Sequence, residues 1–419
     1  MVGSAGSGAV VPRALLVAAL LLGLLLCLSG PPSAGPARAG VVLAGGSTGV
    51  APPAAPDEPG PFTAGYQTLT VSDPGRPGRL LTTSVWYPGA PARLGPVALP
   101  PAAQYPAARY PVAQYPAARY PVARYPVARY PVAPGVDVSS ALAHEEIPVA
   151  PGRFPLVVVS HGSAGSRVQL AYLAEALATH GFVVAAPDHP GDTMIEAAEG
   201  RQAPLVELAS DRLLDVSAVI SAFTKPDCPL SRMVRADEVG VVGFSFGGLT
   251  SAVSTVGFLR APADPRVRAV VGIAPATEVV PERELDRVRV PVLLVGGSDD
   301  LAAPVERNAG RTFDGLHGAH PRYLVTVTGG MHNSFTEICA QAAAVRDRPV
   351  PEGVRVRLEV TAEVTCRPPA VDIDRAHRLT TYYTVAFLER RLLGATTYDS
   401  FLTPAAARRF PEALFHAAG

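Results

Sequence analysis

From Phe154 onward, short apolar runs alternate with stretches of helical character, and this alternation constrains the fold more than any other feature of the sequence. Apolar runs of this kind are typical of strands buried on both faces of a parallel sheet. The pattern predicts a single α/β domain over residues 63–404, with a mostly parallel central sheet and helices on both faces. The predicted strands are Leu156–Ser160, Phe182–Ala186, Val239–Gly243, Val267–Ile273, Val290–Val295 and Tyr323–Thr328. The predicted helices are Gln169–His180, Leu205–Phe223, Gly247–Phe258, Val305–Phe313 and Arg375–Leu393.

Two β-rich runs precede this region. Tyr66–Val71 and Leu80–Tyr87 are separated by the turn signal Asp73-Pro74-Gly75, which predicts an antiparallel hairpin. Residues 405–419 carry no comparable pattern, and we interpret them as a C-terminal tail.

Nearly half of the 44 prolines lie in two segments, residues 31–62 and 91–134. The second segment contains the repeated unit Pro-(Ala/Val)-Ala-(Gln/Arg)-Tyr, and proline at every fifth position excludes an α-helix. We therefore predict a disordered insertion over residues 91–135. The repeated tyrosines are Tyr105, Tyr110, Tyr115, Tyr120, Tyr125 and Tyr130.

The N-terminus has the layout of a secretory signal. Arg13 precedes the apolar run Ala14–Leu28, and the small-residue triplet Ala37-Arg38-Ala39 follows. We predict a signal peptide over residues 1–39, export after cleavage near Ala39, and a Pro/Gly/Ala-rich linker over residues 40–62. The alternative interpretation is an uncleaved N-terminal membrane anchor.

Export permits disulfides, and removal of the signal peptide with Cys27 leaves three cysteines. Cys339 and Cys366 bracket a stretch that we interpret as irregular, so a bond between them would restrain a loop. We predict that pair and leave Cys228 as the odd thiol, although sequence alone leaves the other pairings open.

The strongest chemical motif is Gly243-Phe244-Ser245-Phe246-Gly247, placed between a predicted strand and a predicted helix. In this context G-x-S-x-G forms a sharp turn that exposes the serine at the end of the strand. Because a serine hydroxyl needs a base and an orienting acid to become a nucleophile, that pair is expected downstream in the order acid, then histidine.

Both partners follow predicted strands. Asp299 and Asp300 come after Val290–Val295, and Asp300 has the better spacing, with Asp299 as the alternative. His332 comes after Tyr323–Thr328 and is the predicted general base. These positions place all three groups at the carboxyl edge of the sheet, where functional sites of such folds lie.

Amide donors for an oxyanion should come from two places. One is the N–H of Phe246, next to the nucleophile, and the other is the N–H of Ser163 in the loop after Leu156–Ser160. We interpret His161 and His189 as loop-stabilising residues. Phe244 and Phe335 are candidates for an apolar substrate lining.

Several segments together resemble a known family. Leu156–Ser163, His180–Gly191, Asp211–Val216, the Ser245 turn and Thr381–Leu388 are similar to the exported bacterial relatives of plasma-type platelet-activating factor acetylhydrolase, and also to actinobacterial cutinases. The resemblance implies an α/β-hydrolase fold, no metal, no cofactor, and ester hydrolysis through an acyl-serine intermediate. It supports Ser245, Asp300 and His332 as the triad.

Two departures bear on the substrate. Cutinases that cleave polyesters have an aromatic residue where this chain has Ser163, and a tryptophan where it reads Ile273-Ala274-Pro275-Ala276. We therefore expect short-acyl or lipid-like esters, with polyester or cutin hydrolysis as the alternative within the same enzyme class.

The formal net charge is zero, with 36 basic and 36 acidic side chains, which disfavours nucleic acid as a partner. A small ester is the expected partner, with transient membrane or cell-wall contact and an undetermined oligomeric state. A hypothesis of another class is an envelope-associated interaction protein that uses the Tyr-Pro repeat and has a vestigial hydrolase domain.

Overall fold

The computed structural model describes residues 54–90, 125–225 and 229–419, which belong to one compact unit, Pro52–Gly419. The predicted signal peptide, Cys27 and Cys228 lie outside the described residues. The strands are β1 Thr63–Ser72, β2 Leu80–Gly89, β3 Val127–Ala133, β4 Val136–Glu145, β5 Phe154–Ser160, β6 Val183–Pro187, β7 Val234–Phe244, β8 Val267–Ile273, β9 Val292–Gly297, β10 Arg322–Val327 and β11 Ala413–Ala418.

Most helices follow a strand and precede the next one. They are α1 Ala171–Thr179, α2 Met194–Ala198, α3 Leu205–Thr224, α4 Phe246–Val253, α5 Glu282–Leu285, α6 Arg311–Gly315, α7 Ile338–Val345, α8 Glu352–Thr365, α9 Ile373–Leu392 and α10 Pro404–Ala407. No helix among the described residues combines the length and the apolarity needed to cross a membrane.

All these strands form one sheet, in the order β11-β10-β9-β8-β7-β5-β6-β2-β1-β4-β3. Six neighbouring strands pair in parallel, in the order β10-β9-β8-β7-β5-β6, and β1 and β2 form an antiparallel hairpin at one side. The predicted α/β class, its parallel strands and the early hairpin are confirmed. The structure places the carboxyl ends of all six parallel strands at one edge.

The sheet separates two apolar layers because side chains alternate along each strand. Val157 and Val159 of β5 pack in the layer that contains α1 and α9, whereas Leu156 and Val158 pack in the layer that contains α3 and α4. Each of these side chains is almost completely buried. Burial of a Val or Leu side chain contributes roughly 1.5–3 kcal/mol, so the two layers fix the central strands and the loops at their ends.

A smaller third apolar cluster lies outside these layers. It joins the β3–β4 hairpin to α2, α7 and α8 through Val132, Val136, Met194, Ile338 and Leu358. The stretch between Cys339 and Cys366 consists largely of the helices α7 and α8, so the prediction that it is irregular is wrong. A disulfide links these two cysteines and ties the start of α7 to the end of α8, with an S–S distance of 1.98 Å. We call this assembly of the β3–β4 hairpin, α2, α7 and α8 the accessory layer.

The end of the repeat segment is ordered, which corrects the predicted disordered insertion over residues 91–135. Residues 127–133 form β3, the outermost strand of the sheet. Proline has no backbone N–H to donate, and an edge strand tolerates Pro131 because one of its sides pairs with no other strand. Tyr130 is 4% exposed and packs against Tyr66 and Trp86 with ring centroids 5.0 and 5.6 Å apart. Its hydroxyl accepts a hydrogen bond from the Trp86 indole and donates to Glu175.

Both predicted flanks of the domain are also corrected. Residues 54–62, assigned to the linker, pack on the domain: the Asp57 carboxylate binds Arg378 and Arg409, and Phe62 meets Phe154 edge to face. Residues 405–419, assigned to a tail, include β11, which pairs antiparallel with β10. The folded unit thus extends at both ends beyond the predicted range of 63–404.

Candidate active site

Ser245 lies at a sharp turn between β7 and α4. Its backbone has φ +54° and ψ −115°, a strained conformation for a residue with a side chain, and its N–H donates to Ile273 O at 2.9 Å. A Cβ at Gly243 would lie 1.9 Å from Gly247 O, and one at Gly247 would lie 2.0 Å from Ser160 O. Only glycine fits at these two positions, so the sequence of the turn forces the serine side chain out of the sheet edge.

The Ser245 hydroxyl, the His332 imidazole and the Asp300 carboxylate form a continuous hydrogen-bonded chain. His332 Nε2 lies 2.9 Å from Ser245 Oγ, and His332 Nδ1 lies 2.7 Å from Asp300 Oδ2. The Phe244 ring stands beside the imidazole, with centroids 4.9 Å apart. With Nδ1–H donating to the carboxylate, Nε2 is the acceptor that can take the serine proton.

The two candidate aspartates have different surroundings. Asp300 is 3% exposed, and its Oδ1 accepts hydrogen bonds from the Ala302 and Ala303 amides at 2.9 and 2.7 Å. Asp299 is exposed and accepts a bond from Ser298 Oγ. Asp300 is therefore the residue that contacts His332, and the loop amides hold its second oxygen in place.

The two predicted oxyanion donors belong to Phe246, next to Ser245 in the chain, and to Ser163, which lines the same cavity as Ser245. Phe246 begins α4, where the first N–H groups have no acceptor within the helix. In the loop after β5, the amides of Gly162 and Ala164 donate to Gln169 Oε1 and Asp192 Oδ1, both at 2.8 Å. Within the described residues, no hydrogen bond engages the amide between them, that of Ser163.

A buried ion pair holds this loop from behind. Arg212 and Asp192 are both fully buried and 2.5 Å apart, and the Arg212 guanidinium donates to the carbonyls of His161 and Gly162. Asp192 accepts in turn from the Ser163 hydroxyl and the Ala164 amide. No local pattern gives Arg212 a role, because its partners lie 20 to 52 residues away along the chain.

The two loop histidines are neutral structural groups. His161 Nε2 accepts the His189 amide, and His189 Nδ1 lies 2.9 Å from Asp215 Oδ2. Burial, reinforced by the nearby Arg212 charge, lowers the pKa of His189 to about 4. Among the described residues, no three His, Cys, Asp or Glu side chains cluster as metal ligands would.

A cavity of about 130 Å³ opens beside Ser245 and His332. One wall comes from the strand-end loops and includes Ser163 and Phe244. The opposite wall comes from the accessory layer and consists of Met194, Ile338, Gln341, Arg357, Leu358 and Thr361.

Phe335 does not line the cavity, contrary to the sequence interpretation. Its side chain is fully buried in the apolar layer that contains α1 and α9, because the short helical turn His332–Phe335 directs it inward.

Fold and site together define an α/β-hydrolase fold with a serine at the strand-to-helix turn. Residues 147–345 match the family model described as PET hydrolase-like. Over 177 residues the chain is 26% identical to cutinase 2 of Thermobifida cellulosilytica and to cutinase cut1 of Thermobifida fusca. The aligned segment covers 42% of this chain, 59% of cutinase 2 and 49% of cutinase cut1, so the chain spans about half the length of these relatives.

Proposed function

We propose that the protein is a serine carboxylic ester hydrolase that acts through an acyl-serine intermediate. The observation that carries the proposal is the hydrogen-bonded chain Ser245–His332–Asp300, held at the strand ends by the glycine-dependent turn and the Asp300 loop. The cutinase names of its relatives and the PET hydrolase-like match support ester chemistry.

The proposed reaction has two half-steps. Ser245 Oγ attacks the ester carbonyl while His332 Nε2 takes its proton, and the resulting imidazolium is stabilised by Asp300. The oxyanion accepts hydrogen bonds from the amides of Phe246 and Ser163. His332 then gives the proton to the departing alcohol, which leaves an acyl-serine. Water, deprotonated by His332, attacks this acyl group, and the acid is released with Ser245 restored.

The shape and composition of the cavity support a small substrate. Its volume of about 130 Å³ suits a short acyl chain or a compact alcohol, and Ser163 leaves no aromatic ring at the oxyanion loop. We propose short-acyl or lipid-like esters as substrates. Polyester hydrolysis is the second candidate, because the matching family model is PET hydrolase-like.

We also propose that the protein is exported. The disulfide between Cys339 and Cys366 supports an oxidising compartment, and the residues before Ala39 have the pattern of a secretory signal. N-terminal sequencing of the protein recovered from culture medium tests this proposal, and recovery of full-length chain only inside the cell contradicts it.

The activity is tested with p-nitrophenyl esters of increasing acyl length. Wild type should release p-nitrophenol fastest from acetate or butyrate, and Ser245→Ala should lower kcat by about 10⁴-fold or more. Ser400→Ala, an exposed serine far from the turn in sequence, is the matched control and should retain full activity. Equal rates for wild type and Ser245→Ala would refute the proposal, and faster release from polyester film would favour the second candidate.

A further inference from the structure

The cavity beside Ser245 is polar and carries a positive charge. Among the described residues that line it, Arg357 is the one with a full charge at neutral pH, and no aspartate or glutamate is present. Gln169, Asn333, Gln341 and Thr361 add amide and hydroxyl groups. This lining is unlike the mostly apolar wall that a long, uncharged acyl chain would require.

Arg357 reaches the cavity from α8 and lies against the loop that carries the candidate oxyanion donor. Its Nη2 donates to the carbonyl of Ser163 at 3.3 Å. Within the described part of the chain, no carboxylate forms an ion pair with it. The Asp192 carboxylate attracts the Arg357 guanidinium electrostatically, but Asp192 already forms its ion pair with Arg212. The guanidinium thus lies at the exposed rim of the cavity with its charge unpaired by a carboxylate of the described residues.

Gln341 provides a second, independent observation. Its side chain is 7% exposed and lines the same cavity from α7. No group in the described residues hydrogen-bonds its side-chain amide, so this amide is available to a ligand in the cavity. An acceptor on a bound ligand would satisfy this amide and the guanidinium together.

Both residues belong to the accessory layer. Arg357 lies beyond residue 345, where the match to the PET hydrolase-like family ends. The disulfide from Cys339 to Cys366 fixes α7 and α8, which carry Gln341 and Arg357, relative to each other. The family match therefore includes Gln341 on α7 but not Arg357 on α8.

We propose that Arg357 and Gln341 form a binding subsite for an anionic group, a carboxylate or a phosphate, carried by the ester substrate. This proposal rests on the proposed ester hydrolase function and specifies its substrate class. The guanidinium donates charge-assisted hydrogen bonds to the anionic oxygens, and the Gln341 amide donates one more. The subsite selects substrates and takes no part in bond breaking.

The kinetic test compares esters that differ only in charge. The acyl arm uses the p-nitrophenyl monoester of glutaric acid against p-nitrophenyl valerate, and the alcohol arm uses acetylated glycerol phosphate against acetylated glycerol. The anion of the substrate contacts Arg357 in only one of the two pairs, either the acyl pair or the alcohol pair. In that pair, Arg357→Gln should lower kcat/KM for the charged ester about tenfold more than for the neutral ester. Gln341→Met should shift the same ratio about threefold, and Arg357→Lys should give an intermediate value.

The matched control is Arg367→Gln, which removes one positive charge just after α8, where Arg367 pairs with Glu363 at an exposed site. This variant should leave the charged-to-neutral ratio unchanged. The subsite is overturned if Arg357→Gln lowers both members of each pair equally, or if Arg367→Gln shifts the ratio as much as Arg357→Gln does.

A binding measurement separates this proposal from the hydrolase function. Glutarate and inorganic phosphate are titrated by calorimetry into Ser245→Ala, with and without Arg357→Gln. Loss of binding of either anion on removal of Arg357, with at least tenfold weaker affinity, supports the subsite even if no ester is turned over. Unchanged or absent binding of both anions contradicts the subsite, while turnover by wild type would still support the hydrolase.

Discussion

The two walls of the active-site cavity are built in different ways. The first wall consists of loops at the carboxyl ends of parallel strands. Glycines around Ser245 shape its turn, and the buried pair of Arg212 and Asp192 holds the loop that carries Ser163. The second wall is the accessory layer, which depends on contacts between distant segments and on a disulfide. In the proposed function the first wall carries the groups for bond breaking, and the second carries the proposed anion subsite.

The largest effect should come from the first wall. Asp300→Asn should lower kcat by about 10⁴-fold, because an amide cannot hold the His332 imidazole in the required tautomer. Asp299→Asn, at an exposed neighbouring position, is the control and should stay within about twofold of wild type. Steady-state kinetics with p-nitrophenyl acetate measures both. A large loss in Asp299→Asn with an active Asp300→Asn would reverse the assignment.

The support behind the first wall should give the next effect. Arg212→Met leaves Asp192 buried without its partner, which should cost about 3–5 kcal/mol of unfolding free energy. It also releases the carbonyls of His161 and Gly162, so kcat should fall about 10- to 100-fold through a misplaced Ser163 amide. Denaturant unfolding and kinetics on the folded fraction measure the two losses. Arg283→Met, at an exposed ion pair, should change neither, and normal kcat in folded Arg212→Met would exclude the positioning role.

Substitutions in the second wall should lower turnover less than substitutions in the first wall. Replacing Cys339 and Cys366 together by serine should lower the unfolding free energy by about 3 kcal/mol, as expected for opening a loop of this length. Turnover of p-nitrophenyl acetate should fall by less than about threefold, because the disulfide does not touch the triad. Preference between charged and neutral esters should weaken. A large drop in acetate turnover by the folded variant would show that the two walls are not separable.

The smallest effect should be a pH dependence of the unfolding free energy, where α1 contacts the β3–β4 hairpin of the accessory layer. Glu175 is buried on α1 and accepts hydrogen bonds from Tyr130, Ser140 and the Leu142 amide, and burial, helped by Glu337, raises its pKa to about 7. A carboxyl whose pKa is higher in the folded state loses stabilisation as pH rises through about 4.5 to 7.

The measurement is a comparison of wild type with Glu175→Gln. Between pH 5 and pH 7 the wild type should lose about 2 kcal/mol of unfolding free energy relative to the variant. The difference between the two proteins removes the opposite contribution of the buried His161 and His189, whose lowered pKa values destabilise the fold as pH falls. Parallel stability curves for both proteins would show that Glu175 ionises without cost.

Local patterns predicted the first wall because its structure follows from them. Continuous valine runs such as Val157–Val159 are typical of buried strands, and the turn at Ser245 requires Gly243 and Gly247. The order of acid and base then placed Asp300 and His332 on loops whose side chains meet Ser245 in the structure, since parallel strands end at one edge.

Local patterns could not predict the accessory layer, for physical reasons that differ by element. β3 begins within a proline-rich repeat and is held by long-range contacts of Tyr130 with Trp86 and Glu175. The apolar period of α8 is obscured, because its buried residues Val354 and Leu358 alternate with exposed valines. Those exposed valines are Val356, Val360 and Val364. The Arg357 site depends on two helices that meet only after folding.

The most direct test of the central claim is to trap the acyl group. Wild type mixed with p-nitrophenyl butyrate and quenched in acid within milliseconds is digested and analysed by mass spectrometry. The proposed mechanism predicts a butyryl group on the peptide that contains Ser245, formed with a burst of p-nitrophenol and absent from Ser245→Ala. A butyryl group on another residue, or steady turnover with no covalent intermediate in either protein, would contradict nucleophilic catalysis by Ser245.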